Sequence, residues 1–211
     1  MMTEQMLDAL RADVESRMSP KRFGHTAEVE KMAAYLGKLY APRSIMTLRA
    51  AALLHDITKE YSTEEHVRVF EEKGVTLSKD TLCAPKTLHA MTAAMLIPEL
   101  YPDFATPEII GCVRWHTTGR AEMTLLEKLI YLADYIDMSR TFEDCVKLRE
   151  MFMMAEPEKM STEERIAHLR SILITSYDMT VSALIEDGLP ISADTVEARN
   201  RLVCEEIGER I

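Results

Sequence analysis

The sequence predicts an all-α protein, and three observations carry that prediction. No stretch alternates apolar and polar residues with the period of a strand, whereas apolar residues recur at helical spacing. Seven Gly and eight Pro in 211 residues are few for an all-β fold with its many turns. Helix-start signals, a Ser or Thr followed three residues later by Glu, precede helical runs at Ser62/Glu65 and Thr124/Glu127.

The elements follow in order. Residues 3–18 read as a first amphipathic helix, ended by Ser19-Pro20. A second runs from about 22 to 39, with Val29, Met32, Ala33, Leu36 and Leu39 at helical spacing, and Pro42 closes it. A third covers about 44–57. The Ser62/Glu65 capping box opens a fourth, which Gly74 terminates. Residues 87–97 are helical and stop before Pro98. Thr106-Pro107 puts Pro at the first position of a helix ending near Trp115. "HTTGR", 116–120, is a loop, and Thr124 with Glu127 caps the apolar "LLEKLIYLADYI". A long helix over about 161–186 is stopped by Gly188, and Asp194 with Glu197 caps a last one. Residues 1–150 are read as the helical core and 151–211 as helices packed on it, a single domain overall.

Composition bounds the function. Apolar residues make up 47% but aromatics only 6%, so Leu, Ala, Ile and the 15 Met must fill the core. A formal net charge of −10 leaves no basic patch for general nucleic-acid binding. An anionic small molecule stays compatible, since a few local cations or metal ions override the global field. Cys83, Cys112, Cys145 and Cys204 are scattered with no Cys-x-x-Cys, which argues against a zinc ribbon or a disulfide framework and for a reducing cytoplasm. The start, "MMTEQMLDAL", is acidic and amphipathic rather than a signal peptide. No window approaches 18 uninterrupted apolar residues, so no membrane span is expected. The apolar stripe on 3–18 fits docking on the core or on a partner chain, which leaves a homodimer open.

Two anomalies point to chemistry. "AALLHDITKEYS" sets His55 and Asp56 side by side after an apolar run, and burying either costs several kcal/mol unless it is paired or metal-bound. Asp134 sits among Leu129, Ile130, Leu132, Ala133 and Ile136 on a helix apolar nearly all round, where a carboxylate needs a cation. His25, His89 and His116 are singly ambiguous, each near a helix end. His66, on a polar helix, is read as solvent-exposed, and His168 as structural or exposed. Taken together, His25, His55, Asp56, His89, His116 and Asp134 form the imidazole and carboxylate set that suits iron, manganese, zinc or nickel. Adjacent His55 and Asp56 point about 100° apart on a helix, yet both can reach an ion lying alongside its end.

The order His25, His55-Asp56, His89, His116, Asp134 resembles the HD-domain metal-dependent phosphohydrolase superfamily, an all-α helical bundle with a metal site between helices. The strings "RFGHTAEVEKMAAYL", "AALLHDITKEY", "LHAMTAAML", "WHTTGRAEMTLLEKLIYLADYID", "SR" at 139–140 and "SADTVEARNRL" are similar to its YqeK-type branch, the bacterial symmetrical diadenosine tetraphosphate hydrolases. The resemblance covers nearly the whole chain. It implies that His25, His55, Asp56 and Asp134 are metal ligands, with iron the metal and Mn, Co, Ni or Zn as substitutes. It implies that His89 and His116 face the substrate phosphates and can hold a second ion, and that Lys59, Thr117 and Arg140 contact nucleotide phosphate. It implies a dinucleoside polyphosphate substrate cut at the middle of its phosphate chain, with ADP as product.

The chemistry of the residues agrees. Phosphoanhydride hydrolysis needs a nucleophile at neutral pH, which metal-activated water supplies, and cations on the non-bridging oxygens. Lys59 lies three residues beyond Asp56, and Arg140 lies beyond the Asp134 helix. Arg120 is read as a solvated surface cation. Asp56 is the choice for the group that contacts both metal and attacking water, and His89 or His116 either protonates the leaving phosphate or binds it. Two other readings stay open: an HD-domain hydrolase of another nucleotide (a monophosphate, a cyclic nucleotide or an alarmone), and a non-catalytic nucleotide sensor.

Overall fold

Eleven α-helices and no strand make up residues 2–208, which the computed structural model describes. They are α1 (Glu4–Arg17), α2 (Pro20–Tyr40), α3 (Ile45–Leu54), α4 (Thr63–Glu72), α5 (Lys79–Leu82), α6 (Leu88–Leu100), α7 (Pro107–Trp115), α8 (Leu125–Ile136), α9 (Glu143–Met154), α10 (Thr162–Glu186) and α11 (Ala193–Gly208). No helix among the described residues is long and apolar enough to cross a membrane.

The core is built around α3, whose Leu48, Ala50, Ala51, Ala52, Leu53 and Leu54 are fully buried. Three consecutive alanines keep this helix narrow, so α1, α2, α7 and α8 can all pack on it. α8 is the second axis, with Leu129, Ile130, Leu132, Ala133 and Ile136 buried. α10 lies against α8 and α9 and carries α11 on its outer side.

Local chemistry sets most helix starts. The capping boxes at Ser62/Glu65 and Thr124/Glu127 both form, and Ser161/Glu164 forms a third at α10. Gly74 and Gly188 follow the ends of α4 and α10 with φ of 68° and 65°, the left-handed conformation that closes a helix at little cost in glycine.

Several boundaries differ from expectation. Ser19-Pro20 not only ends α1 but opens α2, with Ser19 as N-cap, so His25 lies inside the helix rather than at its start. α3 stops at Leu54, and residues 55–60 form turns with i→i+3 bonds such as Lys59 N–H to Asp56 O, 2.9 Å. α6 runs through Pro98 to Leu100. Proline is tolerated there because it sits in the last turn, which the Tyr101 N–H closes on Ile97 O at 2.8 Å. α11 begins at Ala193, so Asp194 stands in its first turn and is not its cap. α5 and α9 lie outside the expected elements, and no side chain caps α9, whose N-cap is Phe142.

One buried charge belongs to the scaffold alone. Glu30 on α2 is 5% exposed and accepts from Arg11 of α1 and Arg49 of α3, at 2.6–2.9 Å. It ties three helices at one point. Glu30→Ala is expected to cost about 2 kcal/mol, below the roughly 3–5 kcal/mol of a fully buried pair, because the arginines can still reach Asp8 and Glu4. Urea titration checks this. A loss under about 0.5 kcal/mol would rank the network with ordinary surface pairs.

Candidate metal centre

The ends of several helices converge on one cluster. α2 contributes His25, and the turns after α3 contribute His55, Asp56 and Lys59. The first turn of α6 contributes His89, the residues after α7 contribute His116 and Thr117, and the last turn of α8 contributes Asp134. All six sequence-predicted His and Asp residues meet here. Ring centroids lie 5.5 Å apart for His25–His55, 5.0 Å for His55–His116 and 5.0 Å for His89–His116.

Backbone carbonyls orient two of the rings. His55 Nδ1–H donates to Ala52 O at 2.6 Å, and His116 Nδ1–H donates to Val113 O at 2.7 Å. A carbonyl only accepts, so Nδ1 carries a proton in each ring and each Nε2 is turned toward the cluster. His25 is set from its Nδ1 side by Ser139 Oγ at 3.1 Å and Asp137 Oδ2 at 3.4 Å, which leaves Nε2 facing Asp134 Oδ1 at 2.9 Å.

Asp56 stands at the centre. Its Oδ2 lies 3.4 Å from His55 Nε2 and 3.8 Å from His25 Nε2. Its Oδ1 lies 3.2 Å from His89 Nε2 and 3.7 Å from His116 Nε2. Each carboxylate oxygen therefore faces a different pair of imidazoles. Two ligand groups result, His25/His55/Asp134 and His55/Asp56/His116, with the ligand atoms in each within 4.8 Å of one another.

The donor atoms fit a cation. His25 Nε2, His55 Nε2 and Asp56 Oδ1 are buried and make no aligned hydrogen bond. Orphaned buried polar atoms are rare and costly, and three within one His/Asp cluster are what bound cations would satisfy. The mixed imidazole and carboxylate set suits a divalent transition metal.

Electrostatics follow the geometry. Burial works against charge on Asp56, but His55, His116 and His89 hold its carboxyl well below the usual range. Burial likewise opposes charge on Asp134, and Arg140 and His25 outweigh it. Burial opposes protonation of His25 too, but Asp134 and Asp137 push it up to about 9. Burial, with Lys59 and His116 adding to it, pushes His89 down to about 4, so that imidazole is neutral at pH 7.

The remaining predicted residues line the same cluster. Lys59 Nζ sits 3.1 Å from His89 Nε2, and burial lowers its pKa. Thr117 Oγ1 sits 3.2 Å from His89 Nε2. Arg140 donates to Asp134 Oδ1 at 2.5 Å and to Asp134 O at 2.9 Å, so part of its fork already holds a carboxylate of the cluster.

Two expectations need correction. His66 is buried, 4% exposed, because α4 packs on α6 and its Nδ1 pairs with Thr92 Oγ1 at 2.9 Å. Arg120 is not a free surface cation, since it forks onto buried Glu127 at 2.9 and 3.1 Å. His168 is structural, stacked on Phe152 at 5.3 Å.

Sequence reasoning missed Arg22, whose Nη1 pairs with Asp56 Oδ2 at 2.7 Å. It also missed Asp137, fully buried, which accepts from Ser139 N–H at 2.8 Å and from the Ser139 hydroxyl. Asp137 lies three residues beyond Asp134, one helical turn on, and that spacing was its only signal.

The chain is similar to known proteins along most of its length. The HD domain matches residues 22–139. The symmetrical bis(5'-nucleosyl)-tetraphosphatase of Halalkalibacterium halodurans is 30% identical over 195 residues, 92% of this chain and 95% of that one. Its namesake in Bacillus subtilis is 31% identical over 193 residues, 91% and 95% of the two chains. A crystal structure from Clostridium acetobutylicum, described as a predicted HD superfamily hydrolase involved in NAD metabolism, superposes with a TM-score of 0.79 at 27% identity. That match covers 94% of this chain and 97% of the other.

Proposed function

The chain belongs to the HD domain family, and from that premise we propose that it is a metal-dependent hydrolase that cleaves diadenosine tetraphosphate symmetrically into two ADP. The observation that carries the reading is the buried cluster of His25, His55, Asp56, His116 and Asp134, with three donor atoms that lack a hydrogen-bond partner among the described residues. The naming of relatives about 30% identical over nearly the whole chain supports the choice of substrate.

His25, His55, Asp56 and Asp134 would hold one ion, and His116 with Asp56 and His89 could hold a second. Iron(II) is the proposed ion, with manganese, cobalt, nickel or zinc as substitutes. Such an ion lowers the pKa of water toward neutrality and offsets charge on phosphate oxygens. Asp56, whose two oxygens face different pairs of imidazoles, would orient the attacking water. His89 and His116 present neutral Nε2 edges to the substrate phosphates. Lys59 and Thr117, both against His89, add a point charge and a hydroxyl on the same side. Arg140 holds Asp134 in place and sits beside the phosphate path. The reaction balances with one water: its oxygen joins one of the two inner phosphorus atoms, and the bridging oxygen leaves with the other half as ADP.

Protein loaded anaerobically with iron(II) should give ADP as sole product from diadenosine tetraphosphate, separated by chromatography, and chelation should stop the reaction. ATP plus AMP would show asymmetric cleavage and overturn the reading. No product at all would move the function to another phosphoester or to a sensor.

A further inference from the structure

His66 is buried on α4, a helix that supplies none of the cluster's His and Asp residues. A buried imidazole needs a partner for its N–H. Its Nδ1 lies 2.9 Å from the hydroxyl of Thr92 on α6. Thr92 Oγ1 lies 2.9 Å from Thr58 Oγ1, and Thr58 Oγ1 lies 2.8 Å from the backbone carbonyl of His89. Both threonines are fully buried. One polar chain therefore joins α4, α6 and the turn after α3.

The protons of this chain run one way. A carbonyl only accepts, so the Thr58 hydroxyl donates to His89 O. Thr58 Oγ1 is then left to accept, and the proton between the two hydroxyls is that of Thr92. Thr92 Oγ1 accepts in turn, so the proton that closes the chain is on His66 Nδ1. The other contacts of the Thr92 hydroxyl, to Leu88 O and His89 O, are longer, at 3.1 and 3.3 Å. Burial, with Lys59 adding to it and Glu65 opposing, lowers the pKa of His66, so the ring is neutral at pH 7 and this N–H is its only one.

Thr58 stands between Asp56 and Lys59 in the turn over residues 55–60. That turn is shaped by i→i+3 bonds, Lys59 N–H to Asp56 O at 2.9 Å and Tyr61 N–H to Thr58 O at 3.1 Å. Asp56 Oδ1 and Lys59 Nζ face His89 Nε2 at 3.2 and 3.1 Å. The Thr58 hydroxyl grips the same histidine by its backbone. One turn thus holds His89 at its ring and at its carbonyl.

We infer that Thr58, Thr92 and His66 are positioning residues, whose chain locks the turn carrying Asp56 and Lys59 onto the first turn of α6 and so sets both side chains against His89. A misplacement of about 1 Å at a reacting group can cost roughly 10²-fold, so a turn free to slide is a loss the site would register. The effect on turnover rests on the hydrolase reading above, whereas the effect on the ion's ligands does not.

Two pairs of variants separate positioning from packing. Thr58→Val keeps the shape and removes the hydroxyl, and Thr58→Ser keeps the hydroxyl and removes a methyl. His66→Leu fills the site without a donor, and His66→Asn is smaller but keeps an N–H near the place of Nδ1. Thr58→Val should weaken zinc(II) binding, read by competition with a chelator, by about tenfold, the low end of what outer partners of metal ligands are worth. Its kcat with iron(II) should fall by a similar factor and further than KM rises. Thr58→Ser should stay near wild type in both. His66→Leu should show the same losses by a smaller factor, and His66→Asn should recover them. In zinc(II)-loaded wild type with isotope-labelled histidine, proton–nitrogen correlation should find the His66 ring protonated on Nδ1, its signal assigned by its absence from His66→Leu. Ser ranking below Val, or Asn below Leu, would show that these side chains only pack and would overturn the inference. So would four variants that all match wild type, or a His66 ring protonated on Nε2 alone. If wild type forms no ADP from the dinucleotide yet zinc(II) affinity falls in Thr58→Val and returns in Thr58→Ser, the hydrolase reading fails and the positioning chain stands. If it forms ADP and every variant matches it, the reverse holds.

Discussion

Asp56→Ala protein should hydrolyse diadenosine tetraphosphate at least about 10³-fold more slowly than wild type, since even groups that only orient a metal's ligands are worth roughly 10–100-fold. The expectation comes from position. Oδ2 faces His55 and His25 while Oδ1 faces His89 and His116, so one side chain serves both ligand groups. Losing it removes the carboxylate that stands between the two pairs of imidazoles and leaves the rings facing one another. The fold should survive. Arg22, the cation that loses its partner, keeps 28% side-chain exposure and can hydrate, and the buried carboxylate was itself costly to desolvate. Far-UV circular dichroism should therefore match wild type while bound metal, measured after dialysis, falls. Activity within tenfold of wild type would remove Asp56 from the centre of the mechanism.

The parts of this molecule that could be read from sequence are those whose physics is local. Ser62/Glu65 and Thr124/Glu127 form their capping boxes because each needs only four neighbouring residues. Gly74 and Gly188 close helices for the same reason. The six His and Asp residues of the cluster spread over 110 positions, and no periodicity says that they converge; family resemblance pointed to that, and the structure shows it. Where partners come from elsewhere, reading failed. His66 lies on a helix of polar composition and is buried by α6, through Thr92, 26 residues away. Arg22 reaches Asp56 across 34 residues. α9 lacks a side-chain cap, so its start carries no local signal. Pro98 misled because the rule that proline breaks helices assumes an interior site, whereas here it falls in the final turn. Asp137 is one helical turn past Asp134 yet gives no sign of burial, because His25, which faces its Oδ2 at 3.4 Å, comes from α2.

Gly119→Ala should be the most destabilising methyl that can be added at any glycine of this chain, at about 3 kcal/mol or more. Two costs combine there. The residue has φ of 66°, and a side chain in that region costs roughly 1–2 kcal/mol. The added Cβ would also run into Tyr177 Oη, with Tyr177 Cζ 2.9 Å away and Ala198 Cβ at 3.1 Å. Tyr177 is fully buried and stacks on Tyr131 with centroids 4.6 Å apart, so it has little room to move, and overpacking of this kind costs about 1–3 kcal/mol. Gly74 separates the two costs. It has φ of 68°, but a Cβ added there would meet nothing within 4 Å, so Gly74→Ala should lose only the backbone share, about 1 kcal/mol. Tyr177→Phe removes the clashing oxygen, which contacts Met123 Sδ at 3.2 Å. Combined with Gly119→Ala it should recover part of the loss, a non-additivity of about 1 kcal/mol that a double-mutant cycle by urea titration would read. Equal losses for Gly74→Ala and Gly119→Ala would mean that α10 yields to the methyl and that Tyr177 does not wedge the loop. The stakes reach the site as well. Gly119 stands two residues after Thr117, whose hydroxyl contacts His89, so a loop pushed off Tyr177 should also raise KM in whatever protein still folds.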